Sequence, residues 1–188
     1  MRRTKPWELS DELWQRVEPL IPLRTGKRKT GRPHKSDRAM LGAMLFVLRT
    51  GIQWNALPRE VGASTTVYDR FRLWMEAGFF QRMWEAGLYE FDELVGIAWE
   101  WQSLDGAMTK APLGRAATAE ENGIGHNPTD RGKHGTKRST LSEGHGLPLA
   151  IAVAGAVHDT NLVAATLDTI VITRPACAQN LCLDAGYV

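Results

Sequence analysis

The chain has 188 residues, enough to bury one sizeable hydrophobic core or two small ones. Its composition, 43% hydrophobic and 23% charged, is typical of a soluble protein, and no apolar run reaches the roughly 20 residues that a membrane span requires. The amino terminus leads into no apolar signal region, so we expect a cytoplasmic protein with no membrane partner. The net charge is only +2, but residues 1–38 carry eleven Lys and Arg against five Asp and Glu. This local basic surplus favours a polyanionic partner.

The two cysteines indicate neither a disulfide nor a metal site. Cys177 and Cys182 stand five residues apart near the end of the chain, and Cys182 lies inside an apolar, strand-like run. With no further cysteine to pair with and no ligand set around them, we expect two reduced thiols in or near a core rather than a disulfide or a metal site.

The first half of the chain has the apolar period of helices. Ser10, Ser36 and Ser64 are expected to cap three of them at the amino end, Pro22 to end the first and Gly51 to end the second. The stretch of residues 24–35 between the first two is read as a basic linker. A fourth helix through residues 80–94 leads to a domain boundary near residue 96.

The third predicted helix has a polar free face. Its buried stripe is expected to consist of Val67, Tyr68, Phe71, Trp74 and Met75. On or near the outside this leaves Thr65, Thr66, Arg70 and Arg72. A short helix with hydroxyls and arginines on its free face, preceded by another helix and a tight turn, suits a helix-turn-helix reader of DNA. The alternative is a plain helical bundle with a solvated polar face.

From Trp99 onward the apolar period changes to that of strands. We predict strands over residues 99–105, 137–141 and 147–156, a helix over 159–171 and a last strand over 180–186. This order is the beginning of a ribonuclease H-like sheet, in which the fourth strand lies beside the first. The predicted fold class is therefore α+β, with a helical, helix-turn-helix-like DNA-binding domain over residues 1–96 and a partial ribonuclease H-like α/β domain over residues 97–188.

Two aspartates follow strand-like runs. Asp105 ends the run that begins at Trp101, and Asp184 ends the run that begins at Leu181. Two carboxylates at one sheet edge would repel by about 4 kcal/mol at a separation of about 4 Å and an effective dielectric near 20. Bound Mg²⁺ or Mn²⁺ would relieve that repulsion and would serve phosphodiester chemistry. Asp105 and Asp184 are therefore our candidate catalytic and metal-binding residues; the alternative for each is a turn-forming aspartate.

A third carboxylate would make the site neutral. Two Mg²⁺ ions, one phosphodiester and two carboxylates together leave one positive charge. Glu143 in a predicted turn and Asp168 on the predicted helix are the candidates, against the simpler reading of a solvated turn and a solvated helix face.

Basic residues on two segments are assigned to DNA contacts. The connection over residues 110–138 is long for a compact domain, and its second half mixes cations, hydroxyls and glycines that could wrap a phosphate backbone. The alternative is a flexible, solvated loop. The assigned cations are Lys27, Arg28, Lys29 and Arg32 in the linker and Arg131, Lys133, Lys137 and Arg138 in the connection.

Several motifs together resemble one known family. They are Leu9-Ser-Asp-Glu-Leu-Trp14, Gly31-Arg-Pro33, Leu48-Arg-Thr-Gly-Ile-Gln-Trp54, Leu57-Pro58, Ser64-Thr-Thr-Val-Tyr68, Pro128-Thr-Asp-Arg-Gly-Lys-His-Gly-Thr-Lys137, Gly146-Leu-Pro148, His158-Asp159 and Leu181-Cys-Leu-Asp184. From about Leu9 to Tyr187 the chain resembles bacterial insertion-sequence transposases of the DDE type, in the family named after insertion sequence five.

The resemblance implies a helical DNA-binding head on a ribonuclease H-like catalytic domain. Asp105 and Asp184 match the first two catalytic carboxylates of the family. The third, a glutamate on a later helix, has no counterpart before Val188, and Ala185 stands where the family has a basic residue. We therefore expect the chain to be inactive alone, only marginally stable, and to expose some apolar surface.

The function expected from this resemblance is that of a transposase or its N-terminal portion. It would bind the terminal repeats of its mobile element and, when complete, cleave and join DNA with Mg²⁺ or Mn²⁺. Its partners would be DNA and, in addition, a second copy or the product of a downstream reading frame. The alternative is a non-catalytic DNA-binding regulator or an inactive remnant of a transposase.

Overall fold

A computed structural model of the chain describes residues 7–23, 34–111, 123–126, 133–155 and 157–184. The chain divides into two compact units, Met1–Ala86 and Gly87–Val188. Helices build the first unit and a mixed sheet builds most of the second, so the α+β class is confirmed. Across the described residues, no helix has the length and apolarity that crossing a lipid bilayer requires.

The helices of the first unit surround an apolar core. They are α1 (Asp11–Val17), α2 (Asp37–Thr50), α3 (Ser64–Glu76) and α4 (Phe79–Leu94), the last of which continues into the second unit. The fully buried side chains at the centre of this core include Leu41, Met44, Val67 and Phe79. Of the stripe predicted for α3, Val67 and Trp74 are buried, whereas Tyr68 is 40% and Met75 is 52% exposed.

The observed ends of these helices agree only in part with the ends predicted from the sequence. Ser10 caps α1, since its Oγ accepts a hydrogen bond from the backbone N–H of Leu13 at 3.1 Å, and Gly51 ends α2 with a φ of 68°. The cap predicted at Ser64 is wrong, because Ala63 occupies the cap position and Ser64 is the first helical residue. The first helix ends at Val17, earlier than predicted, because Pro19 interrupts the α-helical bonding and a 3₁₀ turn follows.

A connection of residues 51–63 joins α2 to α3. It contains a 3₁₀ turn at Trp54–Ala56 and is longer than the three- or four-residue turn of a helix-turn-helix. The helix-turn-helix assignment therefore stays a prediction.

The sheet of the second unit consists of β1 (Trp101–Lys110), β2 (Gly125–His126), β3 (His134–Glu143), β4 (Pro148–Gly155) and β5 (Asn180–Leu183). β3 lies between β1 and β4 and is antiparallel to both, and the two-residue β2 also pairs with β3. β5 lies parallel to β1 on its other edge. The prediction that the first and last strands are neighbours is confirmed.

Two predicted segments have different bounds. β1 and β3 extend into the stretch that was read as one long loop, because their backbones pair as far as Lys110 and Gly135. The helix predicted over residues 159–171 is shorter: a 3₁₀ turn at Asp159–Leu162 precedes α5 (Val163–Asp168). His158 occupies the cap position of that turn.

One face of the sheet carries the core of the second unit, and we call it the covered face. Leu104, Leu141 and Leu149 are buried there, packed with partly buried residues such as Phe91 of α4 and Leu167 of α5.

The other face is the open face, which carries the side chains that alternate with the buried ones. Trp101, Ile151 and Val153 are 54%, 50% and 58% exposed on it, which agrees with the expected exposure of apolar surface. Cys177 and Cys182 are free but exposed, so the expected position in or near a core is wrong.

Candidate active site

Asp105 is on β1, and Asp184 directly follows β5, the strand that pairs with β1. The parallel register pairs Ser103 with Cys182 and Leu104 with Leu183. Leu104–Leu183 is the last pair of that register, and Asp105 and Asp184 are the next residues along the chain at each strand. Neighbouring strands are separated by about 4.8 Å. Both aspartates are exposed. Two residues that are remote in sequence are thus brought together by one strand pairing.

The open face gives this carboxylate pair its surroundings. Asp105 lies opposite Thr140 of β3, and the next residue on the same face of β3, Arg138, lies opposite Ala107. Arg138 is exposed. An acidic pair therefore has a hydroxyl and a guanidinium beside it on a surface that solvent reaches.

The donor set of this pair fits a hard divalent cation. Carboxylate oxygens are the ligands that Mg²⁺ and Mn²⁺ prefer, and Mg²⁺ is commonly held by one or two carboxylates together with water and substrate phosphates. Within the described ranges, no group of three His, Cys, Asp or Glu residues is placed to hold a metal ion. Two carboxylates by themselves would leave most coordination positions of such an ion to water or substrate.

Glu143 lies away from the aspartates, and its carboxylate has a structural role. Its side chain is on the covered face, at the end of β3, where it is 2% exposed. Its carboxylate accepts hydrogen bonds from the backbone N–H groups of Ala98, His145 and Leu147 at 3.0, 2.9 and 2.9 Å. Burial by itself raises the pKa of Glu143, but these hydrogen bonds outweigh it and the pKa is lowered. Glu143 anchors the chain and does not complete the carboxylate pair.

Asp168 does not complete it either. It is exposed at the end of α5, the helix that packs on the covered face. Both candidates for a third carboxylate thus lie on the side of the sheet opposite to Asp105.

The predicted cations of the second unit separate onto two faces. Arg138 is on the open face with Asp105, whereas Lys137 points to the covered face. There its Nζ lies 2.6 Å from Oδ2 of Asp159, and the Lys137 side chain is only 14% exposed. Lys133 is exposed at the start of β3, and Arg131 lies outside the described residues.

The predicted DNA-contacting residues of the first unit are also divided. Thr65, Thr66 and Arg72 are exposed on α3, and Arg72 makes a surface ion pair with Glu76 at 3.3 Å. Arg70 instead forms an ion pair with Asp37 at the start of α2, and its side chain is 13% exposed. Four predicted contacts, Lys27, Arg28, Lys29 and Arg32, lie outside the described residues.

Two buried polar residues organise this region in roles that the sequence motifs did not indicate. Glu143 anchors the turn after β3, and Gln102 is 3% exposed on the covered face of β1. A signal for Gln102 was present, because strand alternation places it on the same side as Leu104, where an apolar residue is expected.

Comparisons with known proteins identify the family. Residues 9–84 match the family model described as "Putative transposase of IS4/5 family". The insertion element IS402 uncharacterized 16.2 kDa protein of Burkholderia cepacia is 42% identical over 81 residues, which are 41% of this chain and 55% of that protein. The uncharacterized protein y4sN of Sinorhizobium fredii (strain NBRC 101917 / NGR234) is 31% identical over 103 residues, which are 55% of this chain and 76% of that protein.

The matches cover only part of each relative's length. The chain spans about half the length of the IS402 protein and about three quarters of y4sN. No solved structure matches the chain significantly. The chain belongs to the transposase family of IS4/5 type.

Proposed function

We propose that the chain acts in DNA transposition, as a protein that binds the ends of its mobile element and supplies two carboxylates of a metal-dependent site for phosphoryl transfer. The observation that carries the proposal is the parallel pairing of β1 with β5, whose last pair, Leu104 and Leu183, directly precedes Asp105 and Asp184. The strand order β4–β3–β1–β5, with β5 parallel to β1, supports a ribonuclease H-like assignment for this unit.

In the proposed reaction the side chains of the open face position the DNA strand. A Mg²⁺ or Mn²⁺ ion, when bound, would activate the attacking hydroxyl and stabilise charge on the oxygen that leaves phosphorus. Asp105 and Asp184 provide the negative charge that holds such an ion beside the strand. Arg138 can hold a phosphate on the same face, since a guanidinium binds phosphate oxygens in a bidentate manner.

The helical unit is the proposed DNA-binding part. Thr65, Thr66 and Arg72 form an exposed hydroxyl and cation set on α3, which is suited to contact phosphates or base edges. Arg70 is better suited to hold α3 against α2, since it is already paired with Asp37. Lys27, Arg28, Lys29, Arg32, Arg131 and Lys133 stay candidates for DNA contacts. A second copy or a downstream-frame product stays a candidate partner.

A cleavage assay on DNA that carries the terminal repeats of the element tests the catalytic proposal. With Mg²⁺ or Mn²⁺ present, together with the downstream-frame product that would supply the third carboxylate, we expect strand cleavage that Asp105→Asn and Asp184→Asn each lower by about 100-fold or more. Even residues that only orient metal ligands contribute about 10- to 100-fold. The chain alone is expected not to cleave DNA. Asp168→Asn is the matched control, since it removes an exposed carboxylate of α5 and should leave cleavage unchanged.

Binding measured in the same samples distinguishes the alternative. Salt-sensitive DNA binding without cleavage at any Mg²⁺ or Mn²⁺ concentration would contradict the catalytic proposal and would indicate a non-catalytic regulator. Loss of Mn²⁺ binding in Asp105→Asn, followed by calorimetry, would locate the ion at the carboxylate pair independently of turnover.

A further inference from the structure

The position of Asp184 depends on the register of β5 against β1. Hydrophobic burial specifies that register only weakly. β5 has four residues, all exposed, and its two leucines, Leu181 and Leu183, remain 36% and 43% exposed. A slip of one residue would move Asp184 to the covered face, and a slip of two would carry it about 6.6 Å along β1. Something other than apolar packing must therefore hold the register.

A buried amide on β1 makes the required contact. Gln102 is 3% exposed, and its Nε2 donates two hydrogen bonds, to the backbone carbonyl of Trp99 at 2.9 Å and to Oε1 of Gln179 at 2.9 Å. Gln179 is the residue immediately before β5. The bond therefore joins a buried residue of β1 to the residue that precedes β5, the strand that Asp184 follows.

The amide group of Gln179 is held at both ends. Its Oε1 also accepts hydrogen bonds from Nε and Nη2 of Arg174 at 3.2 and 2.6 Å, and its Nε2 donates to the carbonyl of Pro175 at 3.0 Å. Because every donor around Oε1 is an N–H group, the two ends of the amide cannot exchange places without losing these bonds. Gln179 therefore presents a fixed acceptor to Gln102.

The first residue of β5 adds a second attachment to the same part of β1. The backbone N–H and the Nδ2 of Asn180 both donate to the carbonyl of Glu100, at 2.9 and 3.1 Å. A slipped strand could pair with other backbone carbonyls in place of that of Glu100, but it would place Gln179 out of reach of Gln102. The loss of the Gln102–Gln179 bond therefore weighs against every register except the one observed.

We propose that Gln102 and Gln179 are positioning residues, whose amide–amide hydrogen bond selects the β1–β5 register that places Asp184 beside Asp105. The selection of register is a property of the sheet itself, whereas its importance for catalysis rests on the proposed function. Neither glutamine contacts the reacting groups, since Gln102 is on the covered face and Gln179 precedes β5.

Thiol cross-linking can report the register directly, because Cys182 already lies opposite Ser103 on the open face. In a Cys177→Ser background, Ser103→Cys reports the observed register, since the Cα separation of paired strands falls within the disulfide range. Trp101→Cys and Asp105→Cys report slips of two residues in either direction. Ala107→Cys, exposed farther along β1, is the control for non-specific oxidation.

Gln102→Met then tests the proposal, since methionine keeps the length of the side chain and removes its two donors. We expect the rate of slipped cross-linking, relative to that at Ser103→Cys, to rise roughly tenfold, because hydrogen bonds of ordinary strength are lost from one register only. Gln179→Met should raise the same ratio. Because Gln179 is half-buried, this second variant removes the same bond without disturbing the core.

The outcomes separate this proposal from a merely stabilising role and from the proposed function. If Gln102→Met and Gln179→Met lower the melting temperature but leave the cross-linking ratio unchanged, the glutamines only stabilise the sheet and the proposal is overturned. Absence of cross-linking at Ser103→Cys in the parent would overturn the register itself. Correct cross-linking in a protein that binds no Mn²⁺ and cleaves no DNA would leave this proposal standing and remove the catalytic one.

Discussion

Lys137 and Arg138 are neighbours in the chain, yet their side chains lie on opposite faces of the sheet. Lys137 is paired with Asp159 on the covered face, whereas Arg138 is exposed beside the carboxylate pair. The two cations were assigned the same role from sequence, because both belong to one basic stretch. Alternation along β3 gives them different environments and therefore different expected effects on mutation.

Replacing each cation in turn should separate stability from DNA binding. Lys137→Met should lower the free energy of unfolding by about 1–3 kcal/mol, since it leaves the carboxylate of Asp159 without its cation and Oδ1 of Asp159 already has no hydrogen-bond partner. Arg138→Ala should change stability by less than about 0.5 kcal/mol. It should instead weaken DNA binding and reduce the slope of log K against log salt by about 0.9, as expected for one phosphate contact.

Urea unfolding and binding isotherms at several salt concentrations measure these two effects. Should Lys137→Met lower DNA affinity at unchanged stability, the ion pair with Asp159 would not be its main role. An unchanged salt slope in Arg138→Ala would remove Arg138 from the proposed phosphate contacts.

At the scale of elements, the turn between β3 and β4 is tied to the segment that leads into β1. The Glu143 carboxylate accepts the N–H of Ala98, while the N–H of Gly144 donates to the carbonyl of Ala98 at 3.3 Å. Together with the bonds from His145 and Leu147, these contacts fix where β1 begins relative to β3. The position of Asp105 opposite Thr140 follows from that alignment.

This anchor should make the stability of the protein depend on pH. Because the pKa of Glu143 is lowered in the folded chain, its contribution is complete above the pKa of the unfolded chain, about 4.3, and is lost as the pH falls through the lower folded value. Glu143→Gln should lower the free energy of unfolding at pH 7 by about 1–3 kcal/mol and flatten its decrease below about pH 4.3. Glu100→Gln, at an exposed position just before β1, is the control. Equal acid slopes for the wild type and Glu143→Gln would contradict this account.

The pairing of the first and last strands was predicted from the ribonuclease H-like order of elements. Local pattern predicted the order of the main helices and strands, because apolar periods of two and 3.6 are properties of each segment. It could not predict that Arg70 is bound to Asp37, since these residues are 33 positions apart and meet only when α2 packs on α3. The exposure of Cys182 has the same kind of cause. An apolar run predicts a strand, but β5 is at the edge of the described sheet and has one strand partner.

At the scale of the whole molecule, each unit has its own core, and the sheet of the second unit is packed on one side. The covered face buries Leu104, Leu141 and Leu149, while the open face exposes Trp101, Ile151 and Val153. Ile151 and Val153 lie opposite Thr140 and Arg138, so they share the open face with Asp105 and are separated from it by β3. Soluble monomers rarely leave large contiguous apolar patches exposed, and such patches commonly mark interaction sites or cause aggregation.

The asymmetry of the two faces leads to opposite expectations for substitutions two positions apart on β4, where an irregularity in the pairing with β3 at Leu141 and Ser142 shifts the alternation of side chains. Ile151→Thr and Val153→Thr should change the free energy of unfolding by less than about 0.5 kcal/mol each, since both side chains are already half in water and threonine keeps the β-branch that strands favour. Together they should lower the fluorescence of bound ANS and raise the concentration at which the protein begins to associate. Leu149→Ala, on the covered face, should cost about 2–5 kcal/mol because it leaves a cavity. Comparable losses of stability at Ile151 and Leu149 would mean that both faces of the sheet are packed in solution, and light scattering on the same samples would show whether a second copy supplies that packing.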